Sequence, residues 1–341
     1  MEVRIIICGV GRVGKAFLSL LSQKNGYLQA RYGLTLKIIA AVDIGGAAVS
    51  PEGLPLPNLL AHLQQGKNVE ELPIFGKKNY SGKEALSSLP AEILVETTPT
   101  NIQDGEPGLT HLRTALEHGR HVVTAAKGPL VLRFQELKEL AKKANRKLMI
   151  SAATAAALPT LDVGLDCLAG TEVLAAEGIL NGTTNYILTR MTEEGCPYSE
   201  ALAEAQRMGI AEPDPSLDVE GRDTANKILL IANEVFQAGL TLKDIPVEGI
   251  TKITPEDINK AKQEGKIIKL IGQVEKKNGR VIASVAPLAI PLDHPLASVR
   301  GSEKAISYLT DTMDRVTVSG GKSNPLGAAA AILKDIIRIY K

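Results

Sequence analysis

The chain has 341 residues, 44% hydrophobic and 23% charged, with a net charge of +1. This is the composition of a globular protein of about two domains, without the basic surface that nucleic acid or an anionic membrane requires. Three scattered cysteines, Cys8, Cys167 and Cys196, contain no CxxC pair, which excludes a disulfide framework or a structural zinc site and points to the reducing cytoplasm.

The N-terminal segment "VRIIIC" (3–8) is a continuous β-branched run, as expected for a strand buried on both faces. "GRVGKAFLSLLSQ" follows with helical spacing of Val13, Phe17, Leu20 and Leu21. Further buried strands are predicted at 36–43, 91–99 and 120–127 and at "KLMIS", with helices near 107–118 and 132–145. Beyond Ser151 the pattern changes. A small-residue helix over 155–169 is expected, then a strand over 172–181 and helices near 184–194, 198–208 and 221–237. Residues 265–290 read as two strands joined by a "KKNGR" hairpin, and 324–340 as an amphipathic helix returning to the first domain. The expected division is a first, α/β domain (1–152), a second domain (153–318) and a C-terminal helix (319–341). The most membrane-like stretch, "LMISAATAAALPTL", is broken by Pro159 and falls short of the roughly 20 residues a span needs.

"CGVGRVG" places Gly9, Gly11 and Gly14 between a buried strand and an amphipathic helix. The first glycine allows a tight turn, the second lets backbone approach a pyrophosphate, and the third lets helix pack on strand. Arg12 and Val13 open the helix whose N-terminus faces the phosphates. The fold class is therefore α/β, a Rossmann-type doubly wound parallel sheet with a second α+β domain. Asp43 ends the second strand, where a carboxylate would accept from the adenosine ribose and repel a 2′-phosphate; capping of its loop is the alternative. The cofactor is NAD or NADP, with NAD favoured because no Lys or Arg follows in "DIGGAA". Thr97, Thr98, Pro99 and Thr100 close the third strand on the ligand side of such a sheet, where the threonine hydroxyls would be offered to the nicotinamide ribose, a plain Thr–Pro turn being the alternative. Lys127 follows the next strand on the same rim.

Residues 211–227, "AEPDPSLDVEGRDTANK", gather Glu212, Asp214, Asp218, Glu220 and Asp223 ahead of Lys227. Asp223 and Lys227 are four apart on a predicted helix and share a face. The order of carboxylates does not match a calcium-binding loop, and no metal is expected. Reduction of an aldehyde by hydride needs a proton donor at its oxygen, which a lysine beside carboxylates can supply. Carboxylates also suit the ammonium of an amino-acid substrate.

This run resembles the homoserine dehydrogenase signature, matching at Ala205, Gly209, Ile210, Ala211, Asp214, Pro215, Asp218, Val219, Gly221, Asp223 and Lys227. Similarity extends to 95–130, to "GILNGTTNYIL" and to "HPLASVRGSEKAI". The resemblance implies NAD(P)-dependent interconversion of L-aspartate 4-semialdehyde and L-homoserine by a homodimer. By motif position it implies Lys227 as proton donor and acceptor at the C4 oxygen, and Lys127 as a second active-site lysine. Glu212 and Asp223 would bind substrate with Asp218 in support, and Gly182 and Thr183 would contact it. Two positions depart from the family: Ala126 where Asn is common, and Ser151 where a Glu contributes to a monovalent-cation site. Two other readings stay open: a different two-domain amino-acid dehydrogenase or reductase, and a nucleotide-sensing protein without turnover.

Overall fold

This computed structural model describes residues 1–321 and 324–341. They divide into one unit of Met1–Ala156 with Asn324–Lys341, and a second of Ala157–Ser323.

In the first unit, β1 (Glu2–Cys8) is central because its isoleucines bury both faces. It pairs in parallel with β2 (Thr35–Asp43) on one side and β5 (Ile93–Glu96) on the other, then β6 (His121–Thr124) and β7 (Leu148–Met149) extend the sheet. Two short strands, β3 (Gly46–Val49) and β4 (Gly76–Lys78), add antiparallel pairs beyond β2, giving the order β4-β3-β2-β1-β5-β6-β7. These two strands, and the helices Leu56–Gln64 and Gly82–Ser88, were not in the sequence reading. Each is short, so hydrophobic periodicity carries little signal there.

The C-terminal helix Pro325–Ile339 belongs to this first unit. Its Ile332 and Ile336 join Ile5, Phe17, Leu21 and Ile38 in one core. A fully buried carboxylate, Asp335, anchors the helix by accepting from the Ser151 amide (3.0 Å) and hydroxyl (2.8 Å). Ser151 is thus a structural partner of the last helix.

Two boundaries depart from expectation. The strand through Lys127 stops at Thr124, and Lys127 instead begins the helix Lys127–Lys143, which kinks at Arg133. Pro129 falls in the first turn, where its missing N–H costs nothing. The helix expected over 155–169 is replaced by short turns, Ser151–Thr154 and Thr160–Asp162, the latter running into a π-helical turn at Val163–Cys167. Ala156 adopts a left-handed φ of 55°, and Pro159 disfavours helical geometry at the residue before it.

The second unit is built on an antiparallel sheet ordered β10-β9-β8-β11-β12. Its strands are β8 (Val173–Ile179), β9 (Lys266–Lys277), β10 (Arg280–Pro291), β11 (Lys304–Thr310) and β12 (Arg315–Gly320). β9 and β10 join through Asn278-Gly279, with φ of 50° and 74°, the positive values a two-residue hairpin turn requires. The helix Arg222–Val235 lies against the sheet, with Thr224 and Ile228 over Gly272. Among the described residues no helix is long and apolar enough to cross a membrane.

Candidate active site

Two groups of residues carry the predicted chemistry, one in each unit. In the first unit Gly9 has a φ of 91°, and a Cβ there would fall 2.5 Å from the Thr98 nitrogen. A Cβ on Gly14 would come 2.2 Å from the Gly9 carbonyl oxygen. Strand, turn and helix are therefore too close for side chains at either position. Gly11 differs: a Cβ there would meet nothing within 4 Å, so the chain leaves space on that side.

Gly11 is also the N-cap of the helix Arg12–Tyr32, whose first turn holds no acidic residue and receives no side-chain cap. The first N–H groups of that helix, around Arg12 and Val13, are available to an anion. Asp43 is exposed at the end of β2 and ties down the same turn, accepting from the Val10 amide (3.2 Å) and from Ile44 (2.9 Å). These residues fit a dinucleotide: open space at the turn, free helix dipoles for the pyrophosphate, and a carboxylate at the ribose end of the strand.

Thr97 and Thr98 are occupied differently from the simple expectation of free hydroxyls. Thr97 donates to the Gly9 carbonyl (2.6 Å), and Thr98 donates both its amide (2.8 Å) and its hydroxyl to buried Glu96. Pro99 and Thr100 are exposed. Lys127 stands at the first position of its helix, where the helix field opposes a cation by about 0.3–1 kcal/mol. Helix stability does not explain a lysine there.

In the second unit the acidic run separates into distinct roles. Asp214 accepts from the Ser216 amide (3.1 Å) in a local turn, and Glu220 pairs with Arg222 (2.8 Å) on the surface. Asp223 and Lys227 form an ion pair at 2.5 Å, with side chains 16% and 12% exposed. The Lys227 ammonium also donates to the Leu180 carbonyl (2.8 Å). Asp218 joins them through Asn181, whose amide donates to Asp218 (2.6 Å) and to Asp223 (2.9 Å). Burial, followed by the charge of Asp223, raises the Asp218 carboxyl above its ordinary range; Asn181, Thr183 and Lys227 oppose the shift.

Asn181 is the residue that sequence reasoning passed over. It is the N-cap of the helix Gly182–Glu194, accepting from the Thr184 amide (3.0 Å), and so presents its NH2 group to two carboxylates. The available signal was an Asn two residues beyond the end of β8 and immediately preceding Gly182 and Thr183. Those two residues begin the helix, and Thr183 donates to the Ile210 carbonyl (3.1 Å). Glu212 stands apart from this network. It is exposed, and its backbone carbonyl accepts from Gln206 (3.2 Å).

A lysine ammonium, two carboxylates and an amide converging on one point can hold a substrate ammonium and move a proton at a neighbouring oxygen. The family model for homoserine dehydrogenase matches residues 159–337. A homoserine dehydrogenase of Methanocaldococcus jannaschii is 40% identical over 336 residues, 98% of each chain. A relative from Pseudomonas canavaninivorans, named an NAD(+)-dependent homoserine dehydrogenase, is 37% identical across 100% of this chain and 97% of its own. The solved homoserine dehydrogenase of Thiobacillus denitrificans aligns with a TM-score of 0.86 and 25% identity, covering 99% of this chain and 73% of that one.

Proposed function

The chain belongs to the homoserine dehydrogenase family, and from that premise we propose how its residues divide the work of the reaction. The reaction is the NAD(P)-dependent interconversion of L-aspartate 4-semialdehyde and L-homoserine, a step toward threonine and methionine. The nicotinamide cofactor, when bound, supplies the hydride chemistry. Gly9, Gly11 and Gly14 with the N–H groups of Arg12 and Val13 hold its pyrophosphate, and Asp43 its adenosine ribose. NAD is the preferred form, supported by the exposed Asp43 carboxylate at the end of β2.

Lys227 donates a proton to the C4 oxygen as the aldehyde is reduced and takes it back as homoserine is oxidised. Asp223 fixes that ammonium and, with Asp218, holds the substrate ammonium. Lys127 contacts the reacting end of the substrate, Gly182 and Thr183 line it, and Glu212 reaches it from its exposed loop. The observation that carries this reading is the 2.5 Å Asp223–Lys227 pair, tied by Asn181 to Asp218.

The test is absorbance of reduced nicotinamide with L-homoserine and NAD or NADP in turn. The expected result is turnover with NAD exceeding that with NADP. No turnover with either cofactor in folded protein would remove the role assignments, and a clear NADP preference would remove Asp43 from the ribose.

The reading extends to a cytoplasmic homodimer. Three free cysteines suit a reducing compartment. The sheet face opposite the helix Arg222–Val235 presents Ala175, Gln273, Ile282 and Leu309 around a concavity, which suits a second copy of the chain. Leu309→Glu should convert a dimer to a monomer by sedimentation; a wild-type monomer would end this part of the proposal.

A further inference from the structure

Glu96 is fully buried at the end of β5, yet its carboxylate has both oxygens engaged. Oε2 accepts from His111 Nδ1 at 2.7 Å, while Oε1 accepts the Thr98 amide at 2.8 Å and the Thr98 hydroxyl. Cys8 lies in the same group, with the three potential ligand atoms within 4.8 Å of one another. A metal ion is not the best account of this cluster. The His111–Glu96 contact is already a hydrogen bond, and burial, then the charges of Glu96 and Asp43, hold the Cys8 thiol well above its ordinary range. The carboxylate is instead aimed at one residue of the cofactor rim.

Its effect on Thr98 is a matter of hydrogen-bond polarity. A threonine hydroxyl has one hydrogen and two lone pairs. Here the hydrogen goes to Glu96, as does the backbone N–H. Thr98 sits against the glycine turn, its nitrogen 2.5 Å from where a Gly9 Cβ would be. What Oγ1 can offer a ligand is therefore an acceptor.

We propose that Glu96, held by His111, is a positioning residue that fixes the Thr98 hydroxyl as an acceptor for a hydrogen-bond donor on the nicotinamide riboside of the cofactor. The proposal rests on the dinucleotide reading of this unit. A ribose hydroxyl and the carboxamide NH2 are the donors of that half of the cofactor. A bond to an acceptor polarised by a carboxylate is stronger than one between neutral groups.

The experiment is calorimetric titration of folded variants with NADH, alongside their melting temperatures. Thr98→Val should weaken NADH by about 10-fold, and Thr98→Ser should bind like wild type. Glu96→Met should weaken binding similarly, and the Glu96→Met/Thr98→Val double variant should be no weaker than either single variant. Glu96→Gln should recover most of the affinity that Glu96→Met loses, because its amide oxygen still accepts from Thr98 once His111 presents a bare Nδ1, while the neutral amide polarises that hydroxyl less than the carboxylate does. If Glu96→Met fails to fold, the Thr98→Val, Thr98→Ser and Glu96→Gln results still decide. Unchanged affinity in Thr98→Val, or losses that add in the double variant, overturn the inference. A wild-type protein that binds neither NADH nor NADPH overturns the dinucleotide reading instead.

Discussion

Lys227 and Lys269 lie in the same unit and both are largely withdrawn from water, but their partners differ in kind. Lys227 is 12% exposed and paired with the Asp223 carboxylate, beside a second carboxylate held by Asn181. Lys269, on β9, is 0% exposed and among the described residues donates to neutral groups, the Asn185 side-chain oxygen (2.9 Å) and the Val299 carbonyl (2.5 Å). Burial, with a smaller push from Arg300, lowers Lys269 to about 8. The lesson is that burial alone does not mark a working lysine. The counter-charge of Asp223 is what separates the two. Lys269 fastens the loop before β11, since Asn185 also donates to the carbonyls of Gly301 (2.9 Å) and Glu303 (3.2 Å).

The contrast can be broken most directly at Lys227. Lys227→Ala should cut turnover by roughly 10²–10⁴-fold, the usual worth of a positioned acid–base group, with NADH affinity held within about 2-fold. Retained turnover would place the proton chemistry elsewhere. Next in size, Asn181→Ala should raise the KM for homoserine about 10-fold or more, because two carboxylates lose their shared donor. An unchanged KM with a lowered melting temperature would reduce Asn181 to a helix cap.

Lys269→Met should act on stability and not on substrate affinity. It leaves the Asn185 side-chain oxygen without its donor and the Val299 carbonyl with only the longer bond from the Asn185 amide (3.4 Å), at a cost of about 1–3 kcal/mol, read as a lower melting temperature. Its pH signature has a definite sign. The folded-state value of about 8 lies below the ordinary 10.5, so between them the unfolded chain binds more protons and stability rises with pH. That rise should be smaller in Lys269→Met than in wild type; an equal rise would assign it to other groups. The smallest effect is expected from Asp218→Asn. Its raised carboxyl makes the ionised form costly in the fold, a cost absent in acid and fully present above the folded value. Melting near neutral pH should therefore move up slightly while homoserine binding weakens. A fall in melting temperature would show that the Asn181 bond outweighs the burial cost.

Much of the first unit was legible because backbone requirements leave a compact trace. Gly9, Gly11 and Gly14 announce the turn within a few residues, and the alternation of apolar runs with amphipathic helices announces the parallel sheet. The spacing of Asp223 and Lys227 was readable for the same reason, since helix geometry alone puts them on one face. Asn181 was not, because its partners lie 37 and 42 residues away and only the packed unit brings them together. The expected helix over 155–169 failed where local apolar content was outweighed by Pro159 and the left-handed Ala156.

The sequence by itself therefore determined the dinucleotide turn, the α/β order of the first unit, the acidic run with its lysine, and the family. Tertiary structure decided which of the five carboxylates in that run meet Lys227, and that Ser151 partners Asp335. It also decided that the Thr98 hydroxyl faces Glu96. The reason is physical: spacing along a helix or turn is set by local geometry, whereas hydrogen-bond partners and burial are set by residues that are distant in sequence until the chain has packed.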